Sequence, residues 1–317
     1  LFEVDIKETL EKRCKLEFGV LEFNNICAPA SEELTYMFVS IIHNIDPDDV
    51  EVEDPVNNPQ PSMSATMALA ALFKACPDSI FEKLKGIFQE HAASKEWVDQ
   101  HALCLIFYVI TGKLVLLPSY FTCDVYKFIQ EHFKTICQFM DTGIQRLRET
   151  AMWVVAQTIS RHLTILSDFD NPLEVINEIM DLFGPAENPL DATTHPKIIT
   201  RVISIIYNIC RSFKPTSYNS PLRTKEGIFE RVVTYIFNIL DLPQIIAFPN
   251  NITYAYEALN TLYIRAPRNI ELFKNILNDY VQKLNYIKNA PIDETIKYYN
   301  EAGLCSNIST LVSRVDD

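Results

Sequence analysis

"PDSIFEKLKGIFQEHAASKEWVDQHALCLIFYVITG", residues 77–112, contains two kinds of helix pattern, one after the other. In its first half, apolar residues recur at the spacing of an amphipathic helix with one buried stripe: Ile80, Phe81, Leu84, Ile87 and Phe88. The second half, residues 102–112, is apolar on nearly every side. A helix of this kind must be covered on several sides, so the stretch predicts a layered stack of helices.

The same pairing of helices extends outward over the whole chain. The mean period is roughly 45 residues, the length class of HEAT and armadillo repeats. We therefore predict an all-α, right-handed HEAT-repeat superhelix (solenoid) of about seven antiparallel helix pairs, with first helices outside and second helices inside. The predicted pairs are 1–12 with 14–27, 32–45 with 63–76, 78–91 with 96–111, 122–140 with 144–162, 172–183 with 196–213, 223–240 with 250–265, and 268–289 with 292–314.

Composition limits the classes of partner. The 317 residues include 41 acidic and 28 basic side chains, giving a formal charge of −13. This charge disfavours direct nucleic-acid binding and favours basic proteins or peptides, although it also serves solubility alone. The longest apolar run, residues 103–110, is too short to insert into a membrane. The chain starts without Met or a signal-peptide pattern, so 1–317 is expected to be one HEAT array from a longer protein.

Signals for catalysis, cofactors and metals are weak. With only seven glycines, the sequence has no GxGxxG or GxxxxGK[ST] phosphate loop. The six histidines show no metal-ligand spacing and are interpreted as packed or surface residues. The eight cysteines form no CxxC pair and are interpreted as mostly buried, reduced thiols. The sequence therefore predicts a binding protein without catalytic residues, cofactor or metal.

An acidic loop, residues 46–61, interrupts the second predicted pair. Four prolines stiffen it, and six carboxylates crowd into its first half: Asp46, Asp48, Asp49, Glu51, Glu53 and Asp54. Such a loop either creates a local negative field for a basic partner or merely remains solvated. A metal or acid/base site is disfavoured, because the loop itself contains no His and nothing fixes its geometry.

Four stretches of the sequence resemble the importin beta family, in the family's order. Residues 65–112 resemble its central HEAT repeats, 148–162 its Arg-Asp-Thr-Ala-Ala-Trp helix, 250–267 its Asn-Asn…Ala-Tyr-Glu-x-Leu helix, and 16–27 a further second helix. The residues in register are Arg148, Thr150, Ala151, Trp153, Asn250, Asn251, Ala255, Tyr256, Glu257, Leu259, Gly19, Glu22, Phe23, Asn25 and Cys27. The acidic loop stands where this family carries one.

The resemblance implies the middle third of a nuclear transport receptor, located in the cytoplasm, the nucleus and the nuclear envelope at the pore. In this family the acidic loop contacts the basic segment of importin alpha and the GTPase Ran. Expected partners are importin alpha or a basic nuclear localisation signal, Ran-GTP, and Phe-Gly nucleoporins at Phe2 and Ile6. The candidate partner-binding residues are Asp46, Asp48, Asp49, Glu51, Glu53, Asp54, Glu149, Trp153, Asp99 and Glu257.

Two departures from the family concern its groove tryptophans. The tryptophan that ends the family's acidic loop corresponds to a place near Pro59, and a later one falls on Ser204. Trp153 remains, either as a cation–π platform for Arg or Lys or as core between helices. The alternative function is a HEAT scaffold unrelated to nuclear transport, such as a phosphatase regulatory subunit or a vesicle-coat adaptor. Selective, salt-sensitive binding of basic peptides distinguishes the two.

Overall fold

The computed structural model consists mainly of helices in the residues it describes. These are 28–45, 60–112, 119–184, 195–214, 220–223, 227–242, 245, 249–289 and 291–316. They contain twelve α-helices, a short 3-10 helix at Ala28–Ala30, and no β-strand, which confirms the predicted all-α class. None of the helices described combines the length and apolar character that a membrane-spanning segment needs.

The chain divides into two compact units, Leu1–Arg161 and His162–Asp317. The described helices of the first unit are α1 (Ser31–His43), α2 (Pro61–Ala75), α3 (Pro77–His91), α4 (Trp97–Ile110), α5 (Ser119–Gln138) and α6 (Gln145–Arg161). They pack as the pairs α1–α2, α3–α4 and α5–α6, and the second helices α2, α4 and α6 contact one another in that order. This is the stacking expected when a helix pair cannot bury its apolar face alone.

The second unit repeats the arrangement. Its described helices are α7 (Pro172–Asp181), α8 (Pro196–Ser212), α9 (Phe229–Leu240), α10 (Asn250–Arg265), α11 (Ile270–Asn289) and α12 (Glu294–Asp316). The second helices α8, α10 and α12 contact one another in that order. The first helices α7 and α9 are joined by Arg231, whose guanidinium donates to Asn177 at 3.2 Å and to Asp181 at 2.6 Å.

Proline and capping residues start several of these helices. Pro61, Pro77, Pro172 and Pro196 each occupy a first-turn position, where the missing N–H costs no helical hydrogen bond. The first turn of α7 is capped as well, because the side chain of its N-cap Asn171 accepts a hydrogen bond from the Glu174 backbone N–H at 3.4 Å. After α7, Gly184 has a φ of 96°, a conformation that favours glycine.

The core of the first unit is centred on α4. Every side chain from 101 to 110 is buried, and Ile106 and Phe107 are fully so. Phe88 of α3 packs against this helix, with its ring centroid 6.2 Å from that of Phe107. The predicted stripe of α3 is buried as expected, except that Ile87 is half-exposed.

Most predicted helix boundaries agree with the structure to within three residues, but one does not. The helix predicted over 223–240 begins at Phe229, because the chain folds back ahead of it. Ile228 N–H donates to the carbonyl oxygen of Pro221 at 2.9 Å. Gly227 permits this approach, since a Cβ there would collide with that carbonyl oxygen. In this segment the apolar spacing predicts a helix, but the backbone forms a turn at Pro221 and Gly227 instead.

Two further predictions need correction or lie outside the described residues. Pro61, predicted as the last residue of the acidic loop, is the first residue of α2. The first predicted helix pair, residues 1–27, lies outside the described residues.

The cysteines largely follow the prediction of buried thiols. Cys76, Cys104, Cys137 and Cys210 are buried, whereas Cys305 is exposed. Burial raises the pKa of the Cys210 thiol to about 12. The Cys210 thiol is therefore protonated at neutral pH, which makes it a poor nucleophile. The side chains of the other three cysteines lie outside the described residues.

Candidate partner-binding site

The C-terminal end of the acidic loop meets the beginning of α6. Residues 46–59 lie outside the described residues, and with them all six predicted carboxylates: Asp46, Asp48, Asp49, Glu51, Glu53 and Asp54. Gln60 directly precedes α2, and its side-chain oxygen accepts a hydrogen bond from Arg146 Nη2 at 2.7 Å. Arg146 lies in the first turn of α6. The base of the loop is thus held to the helix that carries two other candidate residues.

Glu149 and Trp153 lie on one face of α6. They are four residues apart, and Trp153 is seven residues from Arg146, so the three side chains share that face. Both candidates are half-buried. The structure therefore brings Glu149 and Trp153 to the same helix face as the base of the acidic loop.

Trp153 packs against Tyr108 of the neighbouring second helix, α4. The two ring centroids are 4.3 Å apart and the planes are inclined by 31°. Arg161, at the end of α6, places its guanidinium 4.2 Å from the same tyrosine ring and donates to the Tyr108 carbonyl at 3.2 Å. One side of Trp153 is thus occupied by its neighbour, and part of the indole remains at the surface.

Asp99 lies in the first turn of α4 and contacts two histidines. Ser94 Oγ donates to its carboxylate at 2.7 Å, and the nearest nitrogens of His43 and His91 lie at 3.7 and 3.6 Å. The hydrogen bond from Ser94, and then the two histidines, hold the pKa of Asp99 below its usual value. Asp99 is therefore ionised and engaged by its own chain.

The remaining candidates lie elsewhere. Glu257 is exposed on α10 in the second unit, and Ser204 is half-buried on α8. Phe2 and Ile6, the expected Phe-Gly contacts, lie outside the described residues.

The charge on α6 is opposite in sign to the acidic character of the whole chain. Glu149 shares this helix with Arg146, Arg148 and Arg161, all of them half-buried. Within the described part of this surface, α6 is net basic.

Several residues at this site were not singled out by the sequence. Gln60, Tyr108 and Arg146 carry no motif, and neither do His43 and His91. The feature that could have identified them is their equivalent position in successive repeats. Gln60 and Arg146 both lie at the start of a second helix. His43 and His91 likewise both end a first helix.

Comparison with known proteins identifies the fold. No family model and no curated protein matches the chain. Among solved structures, importin beta crystallised in an ammonium sulfate condition is similar with a TM-score of 0.75 at 15% identity, covering 99% of this chain and 35% of that one. The chain has the fold of an importin-beta HEAT-repeat segment.

Two structures of Kap95, the yeast importin beta, show the same likeness. In one, Kap95p binding induces the switch loops of RanGDP to adopt the GTP-bound conformation. Its TM-score is 0.74 at 15% identity, covering 99% of this chain and 35% of that one. The other is a complex of Kap95 with Nup1, at 0.74 and 13%, covering 99% and 34%.

The importin-beta-like fold confirms the HEAT-repeat class and the family resemblance seen in the sequence. At these identities the likeness concerns the fold. The chain spans about a third of the length of the structures it matches. These neighbours are transport receptors rather than enzymes.

Proposed function

We propose that the chain is the partner-binding segment of a nuclear transport receptor of the importin-beta kind. It binds Lys- and Arg-rich import signals or importin alpha, and Ran in its GTP form regulates this binding. The observation that carries the proposal is the importin-beta fold, which extends over 99% of the chain. The family resemblance implies that the acidic loop and Trp153 contact a basic partner. Trp153 lies on α6, and Gln60 at the end of the loop is hydrogen-bonded to the same helix.

The acidic loop supplies the attraction in this proposal. Six carboxylates within nine residues generate a strong local field, on a chain whose formal charge is −13. The hydrogen bond between Gln60 and Arg146 holds the C-terminal end of the loop beside α6. Because α6 itself carries more arginine than acid, a basic partner gains its electrostatic attraction from the loop.

Trp153 supplies the second contact. Its exposed indole edge lies on the same face as Glu149, where an Arg or Lys side chain of the partner can stack. Such a stack contributes about 0.5–2 kcal/mol, depending on how far the cation is desolvated. Asp99 in the first unit and Glu257 in the second are each proposed separately as secondary contacts for basic side chains.

Ran and Phe-Gly nucleoporins are the other proposed partners. The Kap95 structures support this assignment, since one concerns Ran and another is a complex with Nup1. Phe2 and Ile6 are the proposed nucleoporin contacts. The proposed location is accordingly the cytoplasm, the nucleus and the pore in the nuclear envelope.

The test measures binding of a fluorescent Lys/Arg-rich import-signal peptide to the 317-residue chain at several salt concentrations. In the test variant the six loop carboxylates become Asn or Gln. Affinity falls, mainly through slower association, and the slope of log affinity against log salt flattens. GTP-loaded Ran, added to the unmodified chain, lowers peptide binding, whereas GDP-loaded Ran has a smaller effect.

A matched control separates the loop from overall charge. It neutralises six exposed carboxylates outside the candidate site: Glu90, Glu131, Glu230, Glu271, Asp279 and Glu294. This variant has the same net charge as the loop variant and retains most of the affinity. Equal losses in both variants would show that the loop has no special role. No selective binding of the basic peptide by the unmodified chain would favour the scaffold alternative.

A further inference from the structure

Three side chains with metal-binding atoms meet where α1 and α3 end and α4 begins. His43 is the last residue of α1, His91 the last of α3, and Asp99 lies in the first turn of α4. The two imidazole rings are 5.1 Å apart, centroid to centroid. One nitrogen of each ring and one carboxylate oxygen all lie within 4.8 Å of one another.

The tautomer of His43 is fixed by its own helix. His43 Nδ1 lies 3.1 Å from the carbonyl oxygen of Val39. A carbonyl oxygen only accepts, so Nδ1 carries the proton and Nε2 of the neutral ring presents a lone pair. Histidines that bind metals typically donate their second ring N–H to a carbonyl in this manner.

The lone pair of His43 points toward another acceptor. Nε2 is buried from solvent, has no hydrogen-bond partner, and lies 3.7 Å from Asp99 Oδ1. A buried acceptor that faces a carboxylate is costly unless a proton or a metal cation lies between them. His91 Nδ1, 3.6 Å from Asp99 Oδ2, approaches the same carboxylate from the second helix end.

A second layer of contacts orients the carboxylate. Ser94 Oγ donates to Asp99 Oδ2 at 2.7 Å, and Gln100 Nε2 donates to the backbone oxygen of Ser94 at 3.2 Å. Supporting hydrogen bonds of this kind are typical of carboxylates that bind metals. The three side chains are 22–37% exposed, so an ion can reach them from solvent.

We propose that His43, His91 and Asp99 bind one zinc ion, with the fourth position open to water. Two imidazoles and one carboxylate favour zinc over magnesium or calcium. In a tetrahedral site with bonds of about 2.0–2.1 Å, ligand atoms are about 3.3 Å apart. The two nitrogen–oxygen separations, 3.7 Å to Oδ1 and 3.6 Å to Oδ2, exceed this distance by a few tenths of an ångström. The three ligand atoms lie within 4.8 Å of one another, so the widest pair closes by up to about 1.5 Å when the ion binds.

The zinc ion ties together two successive repeats. His43 comes from the pair α1–α2, whereas His91 and Asp99 come from the pair α3–α4. An ion bound by all three ligands therefore stabilises the folded junction between the repeats. This site goes beyond the proposed transport function and does not depend on it.

The test uses the reduced, chelator-treated chain, with Co²⁺ as a spectroscopic probe and Zn²⁺ as its competitor. One equivalent of Co²⁺ gives visible ligand-field bands without a thiolate charge-transfer band, since no cysteine is a ligand. Zn²⁺ displaces the Co²⁺ and raises the melting temperature. His43→Gln and His91→Gln each weaken Zn²⁺ binding by more than about 100-fold, and Ser94→Ala by about tenfold.

The control variant is His195→Gln, which changes a histidine at the N-cap of α8 in the other unit and retains Zn²⁺ affinity. If the histidine variants fail to fold, the imidazole ¹⁵N chemical shifts of the unmodified chain are measured with and without Zn²⁺. The proposal predicts that Zn²⁺ changes the shifts of His43 Nε2 and His91 Nδ1. Unchanged resonances, or equal Zn²⁺ affinity in His91→Gln and the unmodified chain, would overturn the proposal. The cluster would then be an ordinary ion pair between protonated histidine and the Asp99 carboxylate.

Discussion

The indole ring of Trp153 lies 4.3 Å from the ring of Tyr108, centroid to centroid, with the planes inclined by 31°. Tyr108 is buried near the end of α4, whereas Trp153 is half-buried on α6. The contact therefore joins the second helices of two successive repeats. Aromatic pairs of this kind contribute about 0.5–1.5 kcal/mol beyond their buried area.

Replacing this indole separates packing from recognition. We expect Trp153→Ala to lower the free energy of unfolding by about 2 kcal/mol, less than for a fully buried aromatic residue, because part of the ring is exposed. Affinity for the basic peptide falls by about 0.5–2 kcal/mol with an unchanged salt slope. Urea unfolding and peptide anisotropy measure the two effects. Trp153→Phe is the control and keeps most of the stability. Full affinity in folded Trp153→Ala would assign the ring to packing alone.

Gly303 allows a close helix contact in the second unit. It lies on α12, where an added Cβ would overlap the ring of Tyr256, a buried residue of α10. We expect Gly303→Ala to destabilise the chain by about 1–3 kcal/mol, because the tyrosine ring must move within a packed interior.

Gly86→Ala is the matched control for this prediction. Gly86 is also inside a helix, α3, but a Cβ there meets nothing within 4 Å. Higher helix propensity therefore makes the control more stable by up to about 1 kcal/mol. Chemical denaturation measures both variants. Equal shifts in both would mean that Tyr256 yields without cost.

The helices and core could be predicted from the sequence because burial imposes a period on it. The α3 stripe and the apolar α4 are examples, with Ile80, Leu84 and Ile106 fully buried as expected. Prediction failed where local turn chemistry decided the path, as at Gly227 ahead of α9. There a backbone hydrogen bond to Pro221 replaces the helical turn that apolar spacing suggested.

The site was harder to predict because its contacts join residues far apart in sequence. His43 and His91 are 48 residues apart, close to one repeat period, and Gln60 and Arg146 are 86 apart, close to two. Equal position in the repeat is the signal that links them. The repeat length is known from the sequence only as about 45 residues, with an uncertainty of several residues. A shift of one residue turns a side chain by about 100° around the helix, so this repeat length does not predict which side chains meet.

A charge placed in the centre of α4 tests the predicted core. Ile106 is fully buried, so Ile106→Asp places a carboxylate where no partner is available. We expect a loss of several kcal/mol, starting with local unfolding of this repeat. Hydrogen exchange and melting measure the loss. Ile264→Asp, at a side chain 46% exposed on α10, is the control and changes stability by about 0.5 kcal/mol or less. An unchanged melting curve for Ile106→Asp would contradict this packing.

His101 makes stability depend on pH. Its side chain is buried on α4 beside Trp97, and its Nδ1 has no hydrogen-bond partner. Burial, together with the nearby charges of Arg146 and His43, lowers the pKa of His101 from 6.5 to about 3. Above pH 6.5 both folded and unfolded chains hold this ring neutral, so the residue contributes no pH dependence there.

Below pH 6.5 the unfolded chain takes up a proton on His101 that the folded chain does not bind until about pH 3. Stability therefore falls with decreasing pH across this window, by at most about 1.4 kcal/mol per pH unit from this residue.

We expect the difference in unfolding free energy between the unmodified chain and His101→Leu to be constant above neutral pH. Between pH 6.5 and 3 it shifts progressively in favour of the variant. The other ionisable groups are common to both proteins, so their contributions largely cancel in the difference. Urea unfolding at intervals of half a pH unit measures the curve, and parallel curves for the two proteins would show that His101 is not buried in its neutral form.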